Sequence, residues 1–346
     1  MQKNYIELMD KDTKEYYSIL SSEFPDFLNE YINTPEMLKL DGINQICGAY
    51  WRKENIYENM YSVLKHSIGV ALIVWNFTKD KKQTIAGLFH DISSPAFKHC
   101  IDFLNGDAEK QESTEEQTLD VIKNSKEIMK LLERDNIKLE EVSDYKIYPI
   151  ADNDTPQLSS DRLEYTLSNG FGVRKQLWDL SEIKEMYNNI TIMKNEENTI
   201  ELGFESVICA EKFVNGASKL WPLWVSSIDT ITMYFFADII EKMYNRKYIT
   251  KNDIYELSEL EIINMIKNCP DQEISKSFYK FMNFDKIIDC ESYRKDKFCV
   301  SRKVKRRYIN PFTKQGRIYD ASEVAKKEID EYINMKISKY AYIDYQ

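Results

Sequence analysis

The chain has 346 residues, 43% hydrophobic and 30% charged, enough apolar content to bury a sizeable core. Its 47 Lys and Arg stand against 57 Asp and Glu, a net charge of −10, which argues against a dedicated duplex nucleic-acid binder, because neutralising phosphates needs clustered cations. The six cysteines form no C-x-x-C pair, the N-terminus is polar from the start, and the most apolar stretch, Ile68 to Phe77, is too short to cross a bilayer; the expectation is a cytoplasmic protein with reduced thiols and no membrane engagement.

In chain order, helical apolar spacing covers Tyr5–Leu20, Phe24–Tyr31, Met60–Phe77 and Lys81–Phe89. Ser94-Pro95 reads as an N-cap with proline at the first helical position, opening a helix through Leu104. Ser113-Thr-Glu-Glu116 is a capping box at the start of a long amphipathic helix to about Leu132. Ser160 caps a helix that carries Asp161 and Tyr165 and closes at Asn169-Gly170. Ile190–Met193 and Thr199–Leu202 flank a polar Asn-Glu-Glu-Asn turn and predict a hairpin. Helices resume from about Ser206 to Lys242. Phe298–Ile309 alternates, with Phe298, Val300 and Val304 facing one way and Arg302 and Lys303 nearby. Asn310-Pro311 and Gly316 mark a turn, and Ala321–Ile337 is helical. The fold class is mainly α with one or two small β-hairpins. It divides into an N-terminal helical segment (1–40), a main domain (41–295) and a C-terminal hairpin-plus-helix appendage (296–346).

All three histidines, His66, His90 and His99, lie in one short stretch, and imidazole is the commonest nitrogen ligand of transition metals. His66 sits inside an apolar helix beside Ser67 and Gly69. His90 and Asp91 follow Ala86-Gly-Leu-Phe89 at a helix end, where neighbours projecting about 100° apart can converge on one ion. Asp161 comes later, at a helix start. Each residue alone has a plainer reading: a hydrogen-bonded core histidine, a helix cap, or an aspartate favoured by the helix dipole. The ordered set H…HD…D points instead to a mixed nitrogen/oxygen site for a divalent metal such as Mn, Fe, Co, Ni, Zn or Mg. Such an ion activates water and polarises a phosphoryl oxygen. No phosphate-binding G-x-x-x-x-G-K-[ST] loop, dinucleotide fingerprint or nucleophile elbow is present. The run Arg302-Lys-Val-Lys-Arg-Arg307 has two readings, a solvated edge strand or an anion or nucleotide contact, including one across a subunit interface. Trp221 and Trp224 are either core residues or a stacking surface for a base.

Three segments carry a family resemblance. They are Gly42-Ile-Asn-Gln-Ile-Cys-Gly48 with Leu64-Lys-His-Ser-Ile-Gly-Val70, then His90-Asp-Ile-Ser-Ser-Pro-Ala-Phe-Lys-His99, then Ser160-Asp-Arg-Leu-Glu-Tyr165. Together they resemble the HD phosphohydrolase superfamily and, within it, the deoxynucleoside triphosphate triphosphohydrolases (dGTPase-like). Arg306-Arg-Tyr-Ile-Asn-Pro311 is similar to a late segment of some members. The resemblance spans roughly 40 to 335 and implies an HD-domain helical bundle. It further implies a metal held by His66, His90, Asp91 and Asp161, with His99 and its acidic partner Asp102 contacting phosphate and helping to protonate the leaving group. Glu115 falls where the family has a further catalytic histidine; support of a helix start is its other reading. Gln45 matches a sugar contact, and Arg162 and Tyr165 match positions facing phosphate and sugar. A nucleotide or other small phosphorylated substrate and assembly into oligomers are implied as well.

The departures bear on substrate. Val63 replaces a usual arginine, Ser94 replaces the histidine inside the HD signature, and Asn169 replaces an aspartate. The stretch Gly216–Ser227, where the family grips the triphosphate, has only Lys219 as a cation. The expectation is metal-dependent hydrolysis of a phosphate ester or anhydride in a nucleotide, by a divergent member whose substrate is smaller or differently charged. The alternatives are a catalytically degenerate HD module that binds a nucleotide or protein partner as a regulator and, more remotely, a single-strand nucleic-acid binder using Arg302–Arg307.

Overall fold

The computed structural model describes residues 5–51, 60–107, 109, 117–284 and 286–345. The protein is mainly helical with two small sheets. Its centre is the Val63–Thr78 helix, buried at nearly every position from Val63 to Val74. It begins at Ser62, whose hydroxyl accepts from the Lys65 amide, and ends at Lys79 in the left-handed conformation. The start falls three residues later than the apolar spacing predicts, because the Ser62 cap decides it. The Lys81–Phe89 helix folds back against it, capped by Asp80. The Ser160–Gly170 helix also packs on the Val63–Thr78 helix, capped by Ser159 rather than Ser160.

Other boundaries differ for local reasons. The expected Tyr5–Leu20 helix is broken where Asp10 caps Lys11–Leu20. The amphipathic stretch ending near Leu132 is two helices, Thr118–Asn124 and Lys126–Arg134, the second capped by Ser125; its expected start at Ser113–Glu116 lies outside the described residues. The Ser206–Lys242 stretch is Val207–Ala217, Trp221–Trp224 and Ser227–Asn245, divided around Pro222 and the Ser226 cap.

The expectation that Ser94-Pro95 opens a helix is incorrect. The helix runs from His99 to Leu104, and Phe97 and Lys98 before it adopt left-handed φ angles of 65° and 45°. Tertiary partners have taken the amides a helix start would use. The Ala96 amide donates to the Ile254 carbonyl (2.9 Å) and the Phe97 amide to the buried Glu259 carboxylate (3.2 Å).

Strands β1 (Ile190–Lys194) and β2 (Ile200–Phe204) form the expected hairpin, with Ile192 opposite Leu202. The sheet extends through β5 (Phe312–Thr313) and β6 (Gly316–Arg317) in the order β1-β2-β5-β6. A second sheet has β7 (Tyr340–Asp344) between β3 (Lys286–Cys290) and β4 (Cys299–Ser301). The alternation over Phe298–Ile309 thus yields a strand of three residues, after which the chain leaves the sheet. The last helix is Glu323–Ile333, capped by Ser322, shorter than the expected Ala321–Ile337.

One apolar cluster surrounds the Val63–Thr78, Lys81–Phe89 and Ser160–Gly170 helices. A second joins Ser227–Asn245, Glu259–Lys267 and Gln272–Met282 to Val300, Ala341 and Ile343. Among the described residues, no single helix is long and apolar enough to cross a membrane.

Candidate metal centre and its cavity

His66 lies on the first turn of its helix and is 1% exposed. Its Nδ1 is hydrogen-bonded to the Glu164 carboxylate, which also accepts from the hydroxyls of Tyr61 (2.7 Å) and Tyr16 (3.3 Å). Glu164 is fully buried. Gly69, one turn beyond His66, lets the Ser160–Gly170 helix approach: a Cβ there would stand 2.7 Å from Glu164 Cγ. His90 follows the end of the Lys81–Phe89 helix, and its Nδ1 donates to the Gly87 carbonyl (2.8 Å).

With both Nδ1 atoms committed, the two Nε2 atoms face one another at 3.1 Å. Asp161 Oδ1 lies 3.0 Å from His66 Nε2 and 3.6 Å from His90 Nε2. One ligand atom from each of His66, His90 and Asp161 falls within 4.8 Å of the other two. Fixing Nδ1 with a carboxylate or carbonyl sets the tautomer that leaves Nε2 as a donor to metal. The electrostatics agree. Burial disfavours a charged ring at His66, but Glu164 and Asp161 outweigh it and push the pKa up to about 9. At His90 burial is likewise outweighed, chiefly by Asp91. Asp161, despite burial, is held well below the usual carboxylate range by the two imidazoles. The carboxylates stabilise positive charge at this point, and two imidazole nitrogens with one carboxylate oxygen suit a divalent transition ion.

Asp91 stands at the edge of this cluster. Its Oδ2 is 3.5 Å from His90 Nε2 but only 2.6 Å from Lys98 Nζ, while Oδ1 accepts from Ser94 Oγ at 3.3 Å. Lys98 and His90 overcome burial and hold its carboxyl well below the ordinary range. Lys98 also donates to Gln45 Oε1 (3.0 Å), so Gln45 reaches the site through the lysine. His99 Nδ1 is 2.8 Å from Asp102 Oδ2, and Asp102 is fully buried. Burial, opposed by Asp102 and aided by Arg307 and Lys98, keeps the His99 pKa below its ordinary value. Glu115 lies outside the described residues.

Arg162 is heavily engaged: Nε donates to the Gln157 carbonyl (2.7 Å), Nη1 pairs with Asp152 (3.2 Å), and Nη2 reaches Asn153. It buttresses the preceding loop as well as facing the cavity. Tyr165 packs edge-on to Trp224, ring centroids 5.2 Å apart, on the cavity wall, whereas Trp221 is fully buried in the core.

His66, His90, Asp91, Asp161, Gln45, Lys98, His99, Arg162, Tyr165 and Trp224 line one cavity of about 210 Å³. Among the described residues, six cationic side chains (Lys98, Lys146, Arg162, Arg174, Lys305, Arg307) line it against four carboxylates (Asp91, Asp152, Asp161, Asp229). Arg174 is paired with Asp229 at 3.0 Å. Several of these were missed from the sequence. Glu164 had a signal, since three positions after Asp161 puts it near the same helical face. Lys98 lay inside the quoted HD segment. Arg174 and Asp229, 55 positions apart, carried no local signal.

No family model matches the chain. It is 25% identical over 253 residues to the uncharacterized protein YdhJ of Bacillus subtilis (strain 168), covering 71% of this chain and 73% of that one. Its fold is similar to that of a hypothetical protein from Aquifex aeolicus, with a TM-score of 0.64, 17% identity and 93% of each chain covered. It is also similar to that of a phosphohydrolase from Bacteroides thetaiotaomicron VPI-5482, with a TM-score of 0.61, 14% identity, and 94% of this chain and 97% of that one covered. At these identities the likeness is one of fold. The chain therefore pairs a fold shared with a phosphohydrolase with a His-His-Asp cluster able to hold a metal ion.

Proposed function

We propose that this protein is an HD-type metal-dependent phosphohydrolase acting on a nucleotide, related in mechanism to the deoxynucleoside triphosphate triphosphohydrolases. The observation that carries the reading is the convergence of His66 Nε2, His90 Nε2 and Asp161 Oδ1 in a cavity rich in cations. A divalent ion bound there supplies Lewis acidity toward a phosphoryl oxygen and toward water. Asp91 is the fourth residue of the set. His99, its Nδ1 held by Asp102 and its pKa lowered, is kept as a neutral imidazole whose Nε2 can take a proton and return it to the leaving oxygen. Lys98 and Arg162 balance phosphate charge, and Gln45 and Tyr165 face the sugar.

The test is metal analysis of the purified protein, then a screen over nucleotides with Mn, Co, Ni and Mg for release of phosphate, pyrophosphate or triphosphate. His90→Ala and Asp161→Ala are each expected to lose both metal and activity; full activity in a metal-free double variant would sink the proposal. The Lys98 ammonium against Asp91, together with Ser94 in place of the signature histidine, favours one rival, an HD module that binds nucleotide without turnover. Nucleotide binding with no metal and no release of phosphate, pyrophosphate or triphosphate would establish that rival.

A further inference from the structure

Glu259 opens the Glu259–Lys267 helix, is fully buried and does not line the cavity. Three N–H groups from two other segments nevertheless converge on its carboxylate. Its Oε1 accepts from the Asn44 amide (3.1 Å) and the Phe97 amide (3.2 Å), and its Oε2 accepts from the Trp51 indole N–H (2.6 Å). One oxygen therefore ties together two backbones that the sequence keeps far apart. The residue after each anchored amide lines the cavity, and those two side chains bond to one another. Lys98 Nζ donates to Gln45 Oε1 at 3.0 Å and lies 2.6 Å from Asp91 Oδ2. Phe236 lies against both segments: its ring stacks on Phe97, centroids 4.5 Å apart, and a Cβ on Gly48 would stand 2.7 Å from it. Phe97 and Lys98 hold left-handed φ angles of 65° and 45°, and Cys47 one of 50°. Such angles persist at non-glycine residues only where the surroundings over-determine them.

We propose that Glu259 is a positioning residue of the cavity, spacing the Asn44 and Phe97 backbones so that Gln45 and Lys98 meet beside Asp91. It does not itself reach the cavity and acts through Lys98. Its consequence for turnover rests on the phosphohydrolase reading; the placement of Lys98 does not. The chemistry of the position calls for a carboxylate, because three N–H donors face it and a carboxylate only accepts. A glutamine there has one accepting oxygen and one donating NH2 group. With its oxygen toward the two amides, its NH2 group meets the indole N–H; turned over, it meets both amides. Either way a buried donor loses its acceptor, a loss on the scale of a hydrogen bond to a charged group. The Phe97 amide stands one residue before Lys98, so its release loosens the left-handed turn that aims the ammonium at Asp91. Removing the indole relieves the conflict, since the glutamine oxygen can then serve both amides.

The experiment labels the purified natural chain, Glu259→Gln, Trp51→Phe and the variant carrying both changes with acetic anhydride, and mass spectrometry reads the rate at Lys98. Burial raises the Glu259 pKa to about 7, so labelling is done at about pH 8.5, where the carboxylate is ionised. Lys39, whose ammonium donates to the Ser94 and Tyr255 carbonyls (2.7 Å each), is the reference. In Glu259→Gln, Lys98 is expected to label about tenfold faster with Lys39 unchanged. Trp51→Phe alone should label like the natural chain, and adding it to Glu259→Gln should return most of the protection. A merely structural role gives no such rescue, because loss of a second buried contact only loosens the fold further. Unaltered Lys98 labelling in Glu259→Gln overturns the proposal. So does an equal rise at Lys39, or a double variant no better protected than Glu259→Gln. If Glu259→Gln does not fold, Glu259→Asp decides: it keeps an all-acceptor group but draws it back by one C–C bond, so Lys98 should label at an intermediate rate, and natural protection there overturns the proposal. In Glu259→Gln, kcat for deoxynucleoside triphosphates should fall about tenfold with metal content unchanged. Failure of the phosphohydrolase reading looks different: the natural chain turns over no nucleotide, and the labelling still decides the role of Glu259.

Discussion

Each imidazole of the cluster is held from behind, but by unequal partners. His90 leans on a backbone carbonyl, which no substitution removes. His66 leans on the Glu164 carboxylate, which is buried with two tyrosine hydroxyls that donate to it; burial, aided by the Glu164 charge, raises the pKa of both tyrosines. Glu164→Gln keeps the shape and removes the charge. Its metal affinity, measured by chelator competition, should fall about 10- to 100-fold, the usual effect of losing such a supporting partner. Unaltered affinity would mean that Glu164 serves only Tyr16 and Tyr61. At this scale the sequence was informative about residue type and poor about pairing. His66, His90 and Asp161 could be picked out because few side chains bind metals and their order was suggestive. Adjacency of His90 and Asp91 suggested that both can converge on one metal. The left-handed turn at Phe97–Lys98 also places the lysine ammonium on Asp91, and no local propensity announces such a turn at two non-glycine residues.

Three helices meet at Asp135, which follows the Lys126–Arg134 helix. Its carboxylate pairs with Lys81 Nζ (2.6 Å), on the first turn of the helix that ends at His90, and accepts from the Tyr31 hydroxyl (2.9 Å). Burial raises its pKa, but Arg134, Lys81 and Tyr31 outweigh it and lower the value to about 2. A folded pKa below the unfolded one means stability that is present above about pH 3.8 and lost as pH falls through about 2. Asp135→Asn should therefore cost about 1–2 kcal/mol at pH 7 in urea denaturation, after allowing for the half-exposed Arg134. The gap from the natural chain should close as pH approaches 2. A gap that persists there would assign the loss to packing instead of charge. Helices with their own caps, such as Lys81–Phe89 after Asp80, were legible because the cap lies next to them. Ser94-Pro95 misled because Ile254 and Glu259, distant in sequence, take the amides that follow it.

A chain with net charge −10 surrounds a cavity where, among the described residues, lining cations outnumber carboxylates, so the local field of these residues opposes the overall one. That inversion is invisible to composition, because the cations arrive from separate segments that only the tertiary fold assembles. The C-terminal strand β7 is central to the assembly. It lies between β3 and β4, its Ala341 and Ile343 are fully buried in the second apolar cluster, and the Lys339 carbonyl just before it accepts from the Arg302 amide at 3.0 Å. The strand thus fixes the start of the segment that delivers Lys305 and Arg307. Ile343→Ala leaves a cavity in that cluster and should cost about 2–5 kcal/mol in chemical denaturation. Metal content, measured well below the unfolding transition, should stay at the natural level, because His66, His90 and Asp161 sit on helices packed in the other cluster. Loss of metal while the protein is still folded would mean that the strand supports the metal site as well as the second cluster.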